Sequence, residues 1–195
     1  WRGLDYFVKN TSTTGSMRIR MLQTGKRELY KEMDKAPDYD QSLLFKQIYD
    51  SEFGMAGGEP YGVLIGDYEF TNSNEDMELI RKISNVAAAA FCPFVTAADS
   101  SLLGLNSWDE LSNPRDLEKV QTSQEFAKWR GFRESDDSRF VTMAMPRVLA
   151  RLPYGKETRP ADTFDYEETQ PAGKGTQQLG HNDYCWMNAA YVLGE

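Results

Sequence analysis

Histidine and cysteine are scarce in this chain. Its 195 residues hold one His, His181, and two Cys, Cys92 and Cys185. Zinc sites and hydrolytic triads draw on clustered His, Cys and carboxylate groups, so there is little here to build them from. Two cysteines make no disulfide framework, and reduced thiols are the expectation. Basic residues are outnumbered: 22 Lys and Arg stand against 30 Asp and Glu, a formal net charge of −8. Nucleic acid and anionic membranes attract basic surfaces, so neither is an expected partner. No apolar run approaches the ~18 residues that a membrane-spanning helix needs. Trp1-Arg2-Gly3-Leu4-Asp5 also lacks the charged start and apolar core of a secretory signal.

What is present is most concentrated between residues 52 and 91. Glycines at 54, 57, 58 and 62 lead into the apolar run Val63-Leu64-Ile65, and a polar hinge then opens an amphipathic helical pattern. A phosphate cradle needs its glycines after a strand, at the N-terminus of a helix. These glycines precede the strand, no Lys-Ser/Thr pair follows, and Glu59 would repel a phosphate. The expected role is a bend that feeds the chain into a strand.

Periodicity outlines the rest. Met17-Arg-Ile-Arg-Met21 alternates apolar and polar, the pattern of a half-buried strand. Residues 25–33 and 40–53 read as helices, with Asp40 or Ser42 as a cap. Ser73 with Asp76 resembles a capping box for a helix reaching about Phe91 and ended by Pro93, with Leu79, Ile83, Val86, Ala87 and Ala90 on one face. Phe94 to Ala97 and Phe140 to Met145 read as strands. Residues 106–118 are turn-rich, with a helical turn expected on each side of Pro114. Thr122-x-x-Glu125 is a capping box for a helix carrying Phe126 and Trp129 inward. Residues 154–180 read as an exposed loop, rich in Pro, Gly, Thr and Glu. Asn182 is a candidate cap for a last helix carrying Trp186, Ala190 and Leu193. Strands alternating with helices predict an α/β fold with a mixed, largely parallel sheet flanked by helices. The expected organisation is a core domain over 1–153, the loop over 154–180, and the start of a helical segment over 181–195.

Several of these words resemble a known family. Phe53-Gly-Met-Ala-Gly-Gly-Glu-Pro-Tyr-Gly-Val-Leu-Ile-Gly-Asp-Tyr-Glu-Phe70 is similar to the signature of the large subunit of the type VI secretion contractile sheath (TssC, VipB or EvpB). So are Trp1-Arg-Gly-Leu-Asp-Tyr6, Leu79-Ile-Arg-Lys-Ile-Ser-Asn-Val-Ala-Ala-Ala-Ala90, Ala127-Lys-Trp-Arg-Gly-Phe-Arg-Glu-Ser-Asp-Asp-Ser-Arg-Phe140 and Pro146-Arg-Val-Leu-Ala-Arg-Leu-Pro-Tyr-Gly155. The resemblance implies a structural subunit in the bacterial cytoplasm, with no enzymatic activity and no cofactor. Its implied partners are the small sheath subunit, other large subunits, the inner tube protein and a disassembly ATPase. That ATPase docks through an N-terminal arm which the resemblance places outside this chain, and the family's C-terminal region is expected to be missing too. Apolar surface around Trp186, Tyr191 and Leu193 is then expected to lie open.

Three constellations bear on chemistry. Arg130, Arg133 and Arg139 interleave with Glu134, Asp136 and Asp137. Clustered carboxylates can hold Mg²⁺ or Ca²⁺, but three arginines in the same ten residues compete for them. A structural ion-pair network or subunit interface is the expectation, arginine's planar fork suiting the task. His181 and Cys185 are spaced to face each other across a helical turn, yet two ligands do not close a metal site. Cys92, at the end of an Ala-rich helix, lacks the cationic neighbours of a reactive thiolate. The alternative is an α/β enzyme using the Gly54–Gly62 loop or the 130–139 cluster, for which no nucleophile–base pair is evident.

Overall fold

A computed structural model describes residues 1–11, 17–113, 116–156, 158, 166–168 and 185–195. At its centre are three short strands, β1 (Leu64–Phe70), β2 (Phe94–Ala98) and β3 (Val141–Ala144), in the order β1-β2-β3 and all parallel. Parallel neighbours need a crossover connection. Between β1 and β2 it is a 16-residue helix, Asn74–Ala89. This is the α/β architecture that the alternating pattern predicts.

The two faces of the sheet follow from strand alternation. Leu64, Tyr68 and Phe70 of β1, with Phe94 and Ala98 of β2, join the apolar cluster built on the crossover helix. Ile65, Asp67 and Glu69 point the other way. Asp67 meets Asn188 there (3.1 Å) and Glu69 meets Arg147 (2.6 Å). The register of β1 against β2 slips between Ile65 and Glu69. The buried Thr96 hydroxyl fills that bulge, 3.0 and 3.1 Å from the Gly66 and Tyr68 carbonyl oxygens.

In chain order the helices are α1 (Arg2–Asn10), α2 (Lys26–Lys35), α3 (Leu43–Phe45), α4 (Asn74–Ala89), α5 (Leu117–Gln121), α6 (Ala127–Arg133) and α7 (Ala190–Leu193). Single turns of 3-10 helix stand between several of them. The expected cap at Ser42 forms, its hydroxyl accepting from Phe45 N–H (3.1 Å). The helix then widens into a π-helical stretch over Lys46–Phe53. Phe45, Tyr49 and Phe53 stack along it, with ring centroids 4.8 and 5.3 Å apart. Its end closes on the glycine turn: Gly57 has φ +84°, and a Cβ on Gly58 would stand 2.1 Å from the Glu52 carbonyl oxygen. The glycines thus serve the bend, and they precede β1.

Ser73 caps α4 by accepting from Asp76 N–H (3.2 Å). The Asp76 carboxylate does not reciprocate; it binds Thr71 N–H (2.7 Å), the Thr71 hydroxyl (2.6 Å) and Lys26 (2.9 Å). Burial on α4 is wider than one stripe, taking in Met77, Leu79, Ile80, Ile83, Val86 and Ala87. α2, α6 and residues 136–140 cover its outer side.

Three local expectations need correction. Residues 17–21 form no strand; Arg18 and Arg20 are drawn instead onto Glu59 and Glu52 of the glycine turn. The Thr122 capping box is not made, because the Thr122 hydroxyl donates back to the Lys119 carbonyl at the end of α5 (2.7 Å). Ser123 precedes the next turn, and α6 starts only at Ala127. Trp186 is not helical: Trp186–Met187 (β5) pairs antiparallel with Val148–Leu149 (β4). Asn182 lies outside the described residues. Around Tyr191 the apolar surface is partly closed by α1, while Leu193 stays 54% exposed.

Candidate functional site

α6 and the turn after it carry the charged word. Arg130 donates to the carbonyls of Gln121, the last residue of α5, and of Ser123 just beyond it (2.6 Å each). A cation suits a helix C-terminus, where unsatisfied carbonyls concentrate negative partial charge. Arg133 donates to Gln121 Oε1 (3.1 Å) and lies 6.0 Å from the centre of the Trp129 ring. Arg139 pairs with Asp136 (2.8 Å) in the open, the two side chains 67% and 94% exposed. Asp137 faces α4, accepting from the Asn85 amide at 3.0 Å once that amide is oriented by its neighbours. Glu134 is exposed, its backbone N–H closing the helix on the Arg130 carbonyl (3.0 Å). Within the chain Arg130 and Arg133 staple the 121–123 turn to α6. Arg133, Glu134, Asp136 and Arg139 remain on the surface.

Among the described residues the best-buried ion pair lies elsewhere. Arg151 grips Glu168 with both nitrogens (2.6 and 2.7 Å), and the Glu168 side chain is only 3% exposed. Tyr154 N–H adds a third bond to the same carboxylate (2.9 Å), and the Arg151 guanidinium lies 4.2 Å from the Tyr154 ring centre. The Arg151 hydrogen bond, chiefly, holds the Glu168 carboxyl below its ordinary value, and burial opposes this. Sequence reasoning singled out the word containing Arg151 but not this pairing, since Glu168 sits in the segment read as a loop. Arg147 of the same word pairs with Glu69 of β1 (2.6 Å).

Cys92 is fully buried, and burial pushes its thiol up to about 11. It packs as a small apolar side chain. His181 lies outside the described residues. Among the described residues no three His, Cys, Asp or Glu gather as a metal site, and no helix is long and apolar enough to cross a membrane.

The words that carry the family resemblance therefore hold this fold together. The family model VipB, described as EvpB/VC_A0108, tail sheath N-terminal domain, matches residues 1–195. The chain belongs to this tail sheath family. It is 46% identical over 195 residues to the type VI secretion system sheath protein TssC1 of Pseudomonas aeruginosa, a match covering 99% of this chain and 38% of that relative. The chain thus spans well under half the length of the curated relative. In this tail sheath domain the signature over residues 53–70 supplies the glycine turn and β1, and the word over 79–90 supplies most of α4. The word over 1–6 lies on α1, against Tyr191.

Proposed function

We propose that this chain is part of a structural subunit of the contractile sheath of a bacterial type VI secretion system. It assembles in the cytoplasm with the small sheath subunit and with other large subunits around an inner tube, and contraction of the sheath drives secretion. The carrying observation is the family match along all 195 residues, together with 46% identity to a sheath protein. The role needs no catalytic group. It needs subunits that hold one packing and relax to another of lower free energy, and a rigid core that transmits the change. The apolar packing around α4 supports such rigidity, and the exposed residues of the 130–139 word are the proposed contacts between neighbours.

The test is co-expression of the full-length protein with its small-subunit partner, followed by electron microscopy. Long hollow tubules are expected. Soluble complexes that never form tubules would overturn the sheath reading.

A further inference from the structure

α4 ends in a Schellman turn. Cys92 N–H donates to the Ala87 carbonyl (3.0 Å) and Phe91 N–H to the Ala88 carbonyl (3.2 Å). The residue at the exit of such a turn takes a left-handed backbone, and glycine is its usual occupant. Here it is Phe91, with φ +48°, the one residue other than glycine at positive φ among the described residues. A Cβ makes that conformation costly, and a bulky ring does not relieve it. Burial does not offset it either, because Phe91 is 74% exposed. Its ring leans against Phe53 (centroids 6.2 Å apart), itself 38% exposed, and meets Phe140 edge-on (6.1 Å, interplanar angle 82°). Backbone strain of this kind collects at functional positions.

Exposed aromatic rings anchor protein interfaces, and charge selects what this cluster takes. No charged side chain lies between Ile83 and Ala98. The last turns of α4 therefore bring no cation to a helix C-terminus, where carbonyls concentrate negative partial charge. Three of the last four carbonyls are capped, that of Val86 by Ala90 N–H (3.0 Å) and those of Ala87 and Ala88 by the Schellman bonds. The Ala89 carbonyl meets no described donor. Asp137 accepts from Asn85, one turn back along α4 (3.0 Å), and pairs with no described cation. Arg139 of the same turn is held by Asp136 (2.8 Å). We propose that Phe91, with Phe53 and Phe140, anchors a second protein chain that presents an arginine or lysine flanked by apolar side chains. The cation lies over the Phe91 ring beside the end of α4, and the apolar groups cover Phe53. A carboxylate in its place is repelled by the helix end and by Asp137.

The inference rests on the sheath reading only in seeking that chain among the sheath partners. Hydroxyl-radical footprinting of the full-length protein, alone and in co-expressed tubules, tests it. The Phe91 ring is expected to be oxidised in the protein alone and protected ~10-fold in the tubules, as a desolvated anchor is. Phe91→Gly should leave the melting temperature unchanged or higher, because glycine accepts the left-handed backbone. The same variant should cut sedimentable tubules at least ~10-fold. Pentafluorophenylalanine at position 91 keeps shape and apolar area but inverts the charge on the ring face, and should cut them by ~5-fold or more. Four results each overturn the proposal: a ring already protected in the full-length protein alone, a ring still open in intact tubules, a clearly lower melting temperature for Phe91→Gly, or undiminished tubules from either variant. If the wild-type protein forms no tubules, the sheath reading fails separately, and fluorine NMR of 4-fluoro-Phe91 decides the anchor. A saturable shift on adding acetyl-Leu-Arg-Leu-amide, and not on adding acetyl-Leu-Glu-Leu-amide, supports it. No shift, or equal shifts from both peptides, overturns it.

Discussion

Gly3 of α1 lies flat against the ring of Tyr191 in α7, joining the two ends of the described chain. A Cβ on Gly3 would stand 2.3 Å from Tyr191 Cδ2, closer than any real contact allows. Beside it, Arg2 donates to the Trp186 carbonyl (2.6 Å). Burial, chiefly, raises the Tyr191 hydroxyl above its ordinary value, with the Asp67 charge adding to it.

Gly3→Ala should therefore destabilise the domain by about 1–3 kcal/mol, the usual cost of forcing volume into a packed contact. Urea unfolding of Gly3→Ala, Tyr191→Leu and the double variant checks this. The smaller, flexible leucine should relieve much of the clash, so strictly additive losses would mean the two residues do not meet.

Glu168→Gln removes one partner of a nearly buried pair and leaves Arg151 uncompensated. The expected loss is about 3 kcal/mol near neutral pH, at the low end for such pairs because Arg151 keeps some solvent contact. The sign with pH follows from the lowered Glu168 carboxyl. Its contribution is present above the ordinary value of 4.5 and fades as pH falls through the lower folded value. Melting curves of wild type and variant should thus draw together as pH falls below the ordinary carboxylate value. A gap that stays constant down to pH 2 would argue against the ion pair.

Arg133→Ala separates the chain from the assembly. Arg133 is exposed, so its loss should move the stability of the isolated protein by no more than about 1 kcal/mol. If neighbours bury it in the sheath, the same variant should reduce tubule formation sharply. Normal tubules from Arg133→Ala would remove it from the interface.

Cys92 should resist iodoacetamide at pH 8 in the folded protein and react once urea exposes it. Its thiol stands near 11 against an ordinary 9.0. The neutral thiol therefore favours the fold below pH 9, an advantage lost as pH rises through 11. Cys92→Ala should show a shallower stability loss than wild type between those values. Rapid native alkylation at pH 8 would contradict the buried placement.

Sequence by itself determined the parts whose signals are local. The apolar positions on α4, the cap at Ser73, the break at Pro93 and the apolar runs of β1 and β2 all speak through hydrogen-bond period and burial within a few residues. The family resemblance was equally legible, being carried by contiguous words. Tertiary structure decided what depends on residues far apart. Residues 17–21 alternate like a strand, but none of the described strands lies beside them, and Glu52 and Glu59 claim the arginines. The spacing of the charged word at 130–139 likewise does not show that Arg130 meets the Gln121 and Ser123 carbonyls. Equally, nothing in the spacing of Arg151 and Glu168, or of Gly3 and Tyr191, announces that they meet. A pairing between residues distant in sequence is selected by the packing of whole elements, and no periodicity records it.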